Sequence, residues 1–408
     1  MLVEFRVKNF RSLRDGQVLS LIASKDTALP ENTLETNLTI APRLLKSAAI
    51  YGANASGKSN LIKALKYMRS MVLRSTTLSP EQIFMAPPFR LDAKTESQPT
   101  EFEVTVILNS VRYQYGFSIM RGHVVAEFLL VYQAFKPQRW FERRFDEASG
   151  EDVYEFGPGL KGAKNAWESE TGPNALFLSV AVKFGSEALR PVFDWFTTGV
   201  SIFNGRALIG LELSPRMLEH PDDRKKIRDF LRAADISIAD IEVRARKIPG
   251  QNEIERDQLI FSHVTESGQA EFDLWDESSG TRNLLSLVGP VLEVLREGRT
   301  LVIDELDTSL HPLLMRELVR LFHRNEINVG GAQLIFTTHD TSLLEARDLL
   351  RRDQVWLIEK DDQQASTLVA LTEFSPRKNE ALGRGYLSGR YGGVPVLDEG
   401  LGLARNET

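Results

Sequence analysis

The chain contains no cysteine among its 408 residues. This absence excludes disulfides, cysteine-ligated zinc, iron–sulfur clusters and thiol catalysis, and it is typical of proteins in a reducing cytoplasm. Apolar runs are also short of the roughly 20 residues that a membrane-spanning helix needs. The alternating residues 1–6 predict a strand and not a signal peptide. We therefore expect a cytoplasmic protein with no membrane partner.

An excess of positive charge is absent as well. The 50 Lys and Arg against 56 Asp and Glu give a formal net charge of -6, which repels nucleic acid phosphates over the chain as a whole. A local strip, residues 376–392, carries Arg377, Lys378, Arg384 and Arg390 against Glu380 alone. Such a strip either packs across the core as a charged tail or docks a partner or nucleic acid, and the sequence leaves both readings open.

Fixed-period repeats and sustained heptads are missing, which excludes a long coiled-coil arm. With 42% hydrophobic residues the chain is long enough for two or three lobes around a sizeable core. Residues 101–108, 111–119 and 124–132 alternate like antiparallel strands. We expect an N-terminal half over 1–150, a mostly helical insertion over 151–265 and a C-terminal half over 266–408.

Residues 52–59 read GANASGKS, which matches the phosphate-loop pattern GxxxxGK[ST] at every fixed position. The apolar run 47–51 precedes the loop, and residues 58–73 follow with helical spacing of apolar residues. In such a unit backbone N–H groups cradle phosphate, the lysine neutralises its charge and the last hydroxyl reaches Mg²⁺. This context disfavours a plain glycine-rich turn. The predicted nucleotide-binding residues are Gly52, Asn54, Ser56, Gly57, Lys58, Ser59 and Asn60, with Ser59 also a ligand of Mg²⁺.

Two adjacent acids, Asp304 and Glu305, end the apolar run 300–303. A parallel strand beside the phosphate loop would present both to the nucleotide. Asp304 suits the Mg²⁺ shell, directly or through water, and Glu305 suits the general base that polarises the attacking water. A solvated acidic turn is the alternative, but the two motifs explain each other.

His339 follows another apolar run, 333–337, and is predicted to hydrogen-bond the γ-phosphate and sense its presence. The alternative is an ordinary surface or core histidine. The remaining histidines show no metal-ligand spacing, and no nuclease constellation is present in the sequence. The acids at 359–362 are predicted to form a charged hairpin turn.

Taken together, these motifs resemble those of the ABC-type ATPase heads of SMC proteins, RecF-like proteins and OLD-family defence ATPases. The resemblance is closest to bacterial stand-alone AAA-family ATPases of the OLD type. It implies an α/β fold, an ABC-type P-loop ATPase head with a mixed core sheet, an antiparallel β lobe and a helical insertion. The residues that carry it are 8–12 (KNFRS), 52–60, 278–282 (SSGTR), 304–307 (DELD), 310–312 (LHP), 337–339 (TTH) and 386–392 (YLSGRYG).

The resemblance also implies that Ser279 and Gly280 form the signature motif, which contacts the γ-phosphate bound by the opposite subunit. Thr281 and Arg282 depart from the usual glycine and acid or amide at these positions. A simple helix N-cap is the alternative reading of the serine.

Further positions follow from the same resemblance. Asn9, Phe10 and Arg11 would lie near the adenine, against which a buried phenylalanine and a solvated arginine are an equal alternative. Residues 307–311 would form the loop after the acids, and Gln82 is only a positional guess for a glutamine that contacts the metal.

The function implied is a Mg²⁺-dependent ATPase whose nucleotide is sandwiched between subunits of a dimer or of a higher oligomer built from dimers. Its expected task is sensing or effector control in bacterial antiviral defence, with a separately encoded effector protein and nucleic acid as a further partner. Two alternatives remain: a RecF-like DNA repair ATPase, and a nucleotide-gated scaffold with negligible turnover.

Overall fold

The structure is a computed structural model that describes residues 1–77, 84–133, 136–204, 221–233, 238–247, 255–308, 310–376 and 380–394. Two large sheets organise the described chain. Its helices are α1 (Lys58–Arg74), α2 (Ala93–Glu96), α3 (Lys164–Ser169), α4 (Phe177–Lys183), α5 (Arg190–Asp194), α6 (Pro221–Ala233), α7 (Ser279–Glu297), α8 (Pro312–His323), α9 (Ser342–Glu345) and α10 (Leu382–Leu387).

The core sheet has the strand order β11-β15-β16-β5-β17-β18. All neighbours are parallel except the last pair, which is an antiparallel hairpin. The sheet is therefore mixed, as the sequence predicts. Its strands are β5 (Ser47–Tyr51), β11 (Val200–Asn204), β15 (Thr300–Asp304), β16 (Gln333–Thr337), β17 (Val355–Lys360) and β18 (Ser366–Ala370).

The second large sheet is antiparallel, with the order β10-β9-β8-β7-β6-β1-β2. The alternation of residues 1–6, 101–108, 111–119 and 124–132 correctly predicts four of the seven strands, β1, β6, β7 and β8. Its strands are β1 (Leu2–Lys8), β2 (Gln17–Ser20), β6 (Thr100–Leu108), β7 (Val111–Met120), β8 (His123–Tyr132), β9 (Gln138–Asp146) and β10 (Glu151–Phe156).

Two smaller sheets complete the described strands. One pairs β3 (Thr33–Glu35) with β4 (Arg43–Leu45), and the other holds β12 (Asp240–Lys247), β13 (Glu255–Thr265) and β14 (Gly268–Asp273).

Helix α1 packs with both large sheets in one apolar core. Leu61, Leu65 and Met68 recur at helical spacing and are buried there with residues of both sheets. The other face of the core sheet packs against α7 and α8 in a second core. Alternate residues of one strand enter different cores, as Ile50 and Tyr51 do, because strand side chains point to opposite faces in turn. Both faces of the core sheet are thus covered.

The segment 151–265 differs from the mostly helical lobe that its sequence suggests. Its described residues include four short helices, but β10 extends the antiparallel sheet, β11 joins the edge of the core sheet, and β12 and β13 form most of a third sheet. Strand β11 is only five residues long, and its partner β15 lies far along the chain. The local sequence pattern therefore does not predict that β11 is a strand of the core sheet. The domain boundaries themselves stay a prediction.

Candidate functional site: a nucleotide cradle at the strand ends

Three adjacent parallel strands of the core sheet bring the predicted motifs together. Strand β16 pairs with β15 on one side and with β5 on the other. The phosphate loop follows β5, Asp304 and Glu305 end β15, and His339 follows β16. Since the carboxyl ends of parallel strands share one edge, all three motifs meet there. This edge is where ligands bind in open α/β sheets.

The phosphate loop is shaped by two glycines that no other residue could replace. Gly57 has φ of 116°, and a Cβ there would lie 2.3 Å from the Ser366 hydroxyl. A Cβ on Gly52 would lie 2.3 Å from the carbonyl oxygen of Ile358. Strands β17 and β18 therefore pack directly against the backbone of the loop. Helix α1 begins at Lys58, so its N-terminus faces the loop.

Lys58 is held at the mouth of this loop. Its ammonium group donates to the carbonyl oxygens of Gly52 at 2.7 Å and Ala53 at 3.0 Å. Burial lowers the pKa of Lys58 to about 8, and this effect is opposed by Asp307, Asp304 and Glu305. The lysine and the acids therefore lie within electrostatic range of each other, in a site with a low local dielectric.

A cluster of serines supports the loop from the side, and the sequence motifs alone do not reveal it. The Ser366 hydroxyl donates to the Ser56 carbonyl oxygen at 2.6 Å, and its oxygen lies 2.8 Å from the Ser12 hydroxyl, which can donate to it. The Asn60 amide donates to the same Ser12 hydroxyl at 2.8 Å. The Ser56 hydroxyl is buried and has no hydrogen-bond partner among the described residues. Asn54 is exposed at the tip of the loop, and Ser59 is half-buried.

Thr337 links the two acids, a role that the sequence analysis missed. Its hydroxyl donates to Oδ1 of Asp304 at 2.7 Å and accepts the backbone N–H of Glu305, also at 2.7 Å. Glu305 has φ of 57°, a left-handed conformation that costs a non-glycine residue energy. Thr308 steadies this conformation, because its hydroxyl donates to the Glu305 carbonyl oxygen at 2.8 Å.

His339 lies exposed next to the acids, where the sequence predicts it. Its backbone N–H donates to Oδ2 of Asp307 at 3.0 Å. Burial and the charge of Lys58 lower the pKa of His339 below its ordinary value, while Asp307 and Glu305 oppose the shift. The lowered pKa favours the neutral imidazole, which can act as a donor or an acceptor.

The three residues expected near an adenine lie in different surroundings: two are buried and one is exposed. Asn9 is fully buried, and its side chain holds backbone groups such as the carbonyl oxygen of Thr95 at 2.7 Å. Phe10 is buried against other rings. Arg11 is exposed and lines a cavity of about 450 Å³ together with Ser12, Phe89 and Lys360. Asn9 and Phe10 therefore stabilise the fold. Arg11 instead lines a cavity that it shares with Ser12, a neighbour of the phosphate loop.

The signature segment forms the start of α7. Ser278, and not Ser279, is the N-cap: its hydroxyl accepts the backbone N–H of Thr281 at 3.1 Å. Gly280 is exposed, and a Cβ there would meet no atom closer than 3.8 Å. The cap of α7 is therefore Ser278, and the role of Ser279 stays a prediction. Helix α8 opens with His311 as its N-cap, and the positional guess Gln82 lies outside the described residues.

The oxygen donors at the cradle fit a magnesium ion carried by a nucleotide. Mg²⁺ prefers oxygen ligands and is commonly held by one or two protein groups, with phosphate and water as the rest. The Ser59 hydroxyl, at the start of α1, and the Asp304 carboxylate, which ends β15 and is 4% exposed, are such groups at the same edge of the sheet. In the part of the chain that the structure describes, no three His, Asp or Glu side chains cluster to hold a metal without a nucleotide.

Three solved structures resemble the chain: the SMC head domain from Thermotoga maritima (15% identity, TM-score 0.42, covering 90% of this chain and 98% of that chain), an SMC head bound to the C-winged helix domain of ScpA (13%, 0.41, 90% and 97%), and an SMC head with an extended coiled coil bound to the C-terminal domain of ScpA from Pyrococcus furiosus (12%, 0.44, 91% and 97%).

No curated protein matches the chain. No helix of the described residues is both long and apolar enough to span a membrane. A family model with the description "AAA domain, putative AbiEii toxin, Type IV TA system" matches residues 47–345, which include the phosphate loop, both acids and His339. The chain therefore belongs to this family of AAA-domain ATPases.

Proposed function

We propose that the protein binds and hydrolyses ATP with Mg²⁺ and uses the cycle as a conformational switch. The observation that supports this most directly is the convergence of Lys58, Asp304, Glu305 and His339 at the ends of three adjacent strands. One sequence motif can arise by chance, but three that meet at one sheet edge form a complete set for phosphoryl transfer to water.

Each side chain has a distinct task in this proposal. Lys58 neutralises the terminal phosphates, and loop N–H groups orient them. Ser59 and Asp304 would hold Mg²⁺, which stabilises the charge that develops on the phosphate oxygens. Glu305 accepts a proton from the attacking water, and His339 hydrogen-bonds the γ-phosphate.

The nucleotide is proposed to lie between two copies of the chain, so that Ser279 and Gly280 of one copy meet the phosphate loop of the other. The open surroundings of Gly280 support this arrangement because a partner can approach its backbone closely. The helix N-terminus of α7 would then face the γ-phosphate with its positive end.

The biological role proposed is control of a separately encoded effector in bacterial antiviral defence, in the cytoplasm. The family description names a toxin of a type IV toxin–antitoxin system, which is compatible with regulated toxicity. The described residues contain no metal-holding cluster of their own beyond the nucleotide cradle, so we propose that the damaging activity belongs to the effector.

The test is hydrolysis by the purified full chain with ATP and Mg²⁺, alone and with DNA or RNA. We expect many turnovers per site, no cleavage of labelled nucleic acid, and loss of nucleotide binding in Lys58→Ala. Strong stimulation by DNA would favour a repair ATPase instead. Tight binding with negligible turnover would favour a scaffold, and nucleic acid cleavage that disappears in an active-site variant would contradict the separate effector.

A further inference from the structure

The C-terminal hook, residues 380–394, packs on the start of the phosphate loop. The ring of Tyr386, only 5% exposed, lies edge-on to the ring of Tyr51 with centroids 5.5 Å apart. Tyr51 is the residue immediately before Gly52. The Tyr386 hydroxyl donates to the carbonyl oxygen of Gly393 at 3.0 Å, which folds the hook back on itself.

The backbone of the hook touches the loop directly. A Cβ on Gly393 would lie 3.6 Å from Cα of Gly52. The Gly393 N–H donates to Oε2 of Glu359 at 3.1 Å, and Glu359 follows the residue whose carbonyl crowds Gly52. Burial raises the pKa of the Tyr386 hydroxyl, while the backbone N–H of Gly52 opposes that rise.

The opposite side of the hook contacts the segment after His339. A Cβ on Gly383 would lie 2.9 Å from Cγ of Glu345 and 3.5 Å from the carbonyl oxygen of Thr341. Tyr51 reaches the same segment, because its hydroxyl donates to the Asp340 carbonyl oxygen at 3.1 Å. The hook therefore contacts both the start of the phosphate loop and the segment that follows His339.

The basic character of this segment does not explain its position. Arg390 pairs with Glu380 at 2.6 Å, Arg384 is exposed, and Arg377 and Lys378 lie outside the described residues. The hook is held instead by the contact between the rings of Tyr51 and Tyr386 and by closely packed glycines such as Gly383 and Gly393. The described part of the strip thus packs across the core.

We propose that Tyr386 is a positioning residue for nucleotide binding, which holds Gly52 and, through Tyr51, the segment after His339 in the geometry that accepts the phosphates. The inference rests on the proposed function. In this proposal the packing of the C-terminal hook and the binding of ATP are coupled. Bound ATP stabilises the packed hook by the same free energy by which the packed hook stabilises bound ATP.

The first test compares Tyr386→Phe with Tyr391→Phe. Both variants keep their ring and lose one hydroxyl. The hydroxyl of Tyr386 holds Gly393, which lies beside Gly52, whereas that of Tyr391 bonds Glu380. We expect the Kd for MgATP to rise roughly fivefold in Tyr386→Phe, the factor that one lost hydrogen bond produces, and to stay unchanged in Tyr391→Phe. Thermal unfolding measures whether both variants lose similar stability.

A second pair changes backbone space instead of a hydroxyl. Gly393 and Gly389 have φ of 70° and 76°, so alanine strains both backbones equally. The strain at Gly393 falls beside Gly52, whose Cα would be in van der Waals contact with the new Cβ, whereas the nearest atom at Gly389 belongs to Val394. We expect Gly393→Ala to weaken MgATP binding and Gly389→Ala to leave it unchanged. In the wild type, MgATP should slow amide hydrogen exchange in the hook, and this protection should shrink in Tyr386→Phe.

The outcomes separate the two proposals. If the wild type binds MgATP and Tyr386→Phe binds it equally well, the hook inference is wrong and the ATPase proposal stands. Equal weakening by Tyr386→Phe and Tyr391→Phe would also overturn the inference, because the hook would then act only through general stability. A wild type that binds no MgATP overturns the proposed function, and this inference with it.

Discussion

The backbone conformation of Glu305 depends on contacts with residues outside its own motif. Its sequence position predicts a general base, but the left-handed backbone and the two threonine contacts that hold it are visible only in the structure. Thr337 comes from the neighbouring strand, so no motif around residues 304–305 contains it. Strained backbone held by its neighbours is common at functional sites, where it fixes a side chain in its working orientation.

Replacement of the base should separate binding from turnover. In Glu305→Gln the side chain keeps its size but accepts no proton, so we expect ATP hydrolysis to fall by roughly 10²–10⁴-fold while ATP binding is retained. Glu293→Gln, in a surface pair with Arg299, is the matched control and should hydrolyse normally. Single-turnover hydrolysis and nucleotide binding measure the two effects. Hydrolysis by Glu305→Gln at the wild-type rate would remove the residue from this role.

The lowered pKa of Lys58 makes nucleotide affinity depend on pH. With a pKa of about 8 the ammonium is almost fully charged at pH 7 and mostly neutral at pH 9. Because phosphate binds the charged form, the affinity for MgATP should fall about tenfold between these values. Lys58→Arg keeps its charge throughout, so its weaker binding should vary less with pH. Parallel pH profiles for both proteins would show that the titrating group lies elsewhere.

At the scale of elements, local pattern and long-range pairing predict different parts of the fold. The buried strands β5, β15 and β16 and the helices α1 and α8 follow from apolar runs and helical spacing in the sequence. The edge strand β11 and the contact of Ser366 with Ser12 do not, because they depend on residues that are 100 and 354 positions apart in the chain. The sequence therefore predicts the motifs, whereas the long-range strand pairing and hydrogen bonds that position them are visible only in the structure.

A buried carboxylate joins the antiparallel sheet to α4, and its loss should be costly. Glu127 is fully buried and accepts the backbone N–H groups of Phe177 at 2.6 Å and Leu178 at 3.0 Å, the first turn of that helix. Burial raises the pKa of Glu127, while Arg143 and these hydrogen bonds oppose the shift. The carboxylate also acts on the buried Arg143 guanidinium, which pairs with Asp152 at 2.7 Å, so the loss of Glu127 removes one of two negative charges near Arg143.

We expect Glu127→Gln to lower the free energy of unfolding by about 2–4 kcal/mol, since one carboxylate oxygen is replaced by a donor that faces N–H groups. Glu155→Gln removes the exposed partner of Arg139 and should cost less than about 1 kcal/mol. Urea denaturation measures both variants. Equal small effects would mean that water or Arg143 rearranges to satisfy the helix end.

At the scale of the whole molecule, both halves of the chain contribute to one site. The phosphate loop comes from the first 60 residues, and the acids and His339 come from the last hundred or so. The core sheet interleaves these segments, with β16 between β15 and β5, so the cradle exists only when the sheet is complete. The signature residues on α7 belong to a separate packing layer on the other face of the sheet, with β12, β13 and α6.

That separation leads to a prediction about subunits. If Ser279 serves the phosphate loop of a second copy, Lys58→Ala and Ser279→Arg are each inactive alone but complement each other when mixed. In a heterodimer both defects fall on one composite site and leave the other intact. With random exchange, half of the dimers are mixed and one of their two sites works, so the mixture should recover up to about a quarter of the wild-type rate.

The structure supplies the control for this experiment. Ser278 caps α7, so Ser279→Arg leaves the cap in place, whereas Ser278→Ala should lower stability and show no complementation pattern. Subunit exchange must be followed independently, for example by fluorescence transfer between labelled copies. If exchange is complete and no hydrolysis returns, Ser279 acts within its own chain, because a composite site shared between two copies cannot fail in every heterodimer.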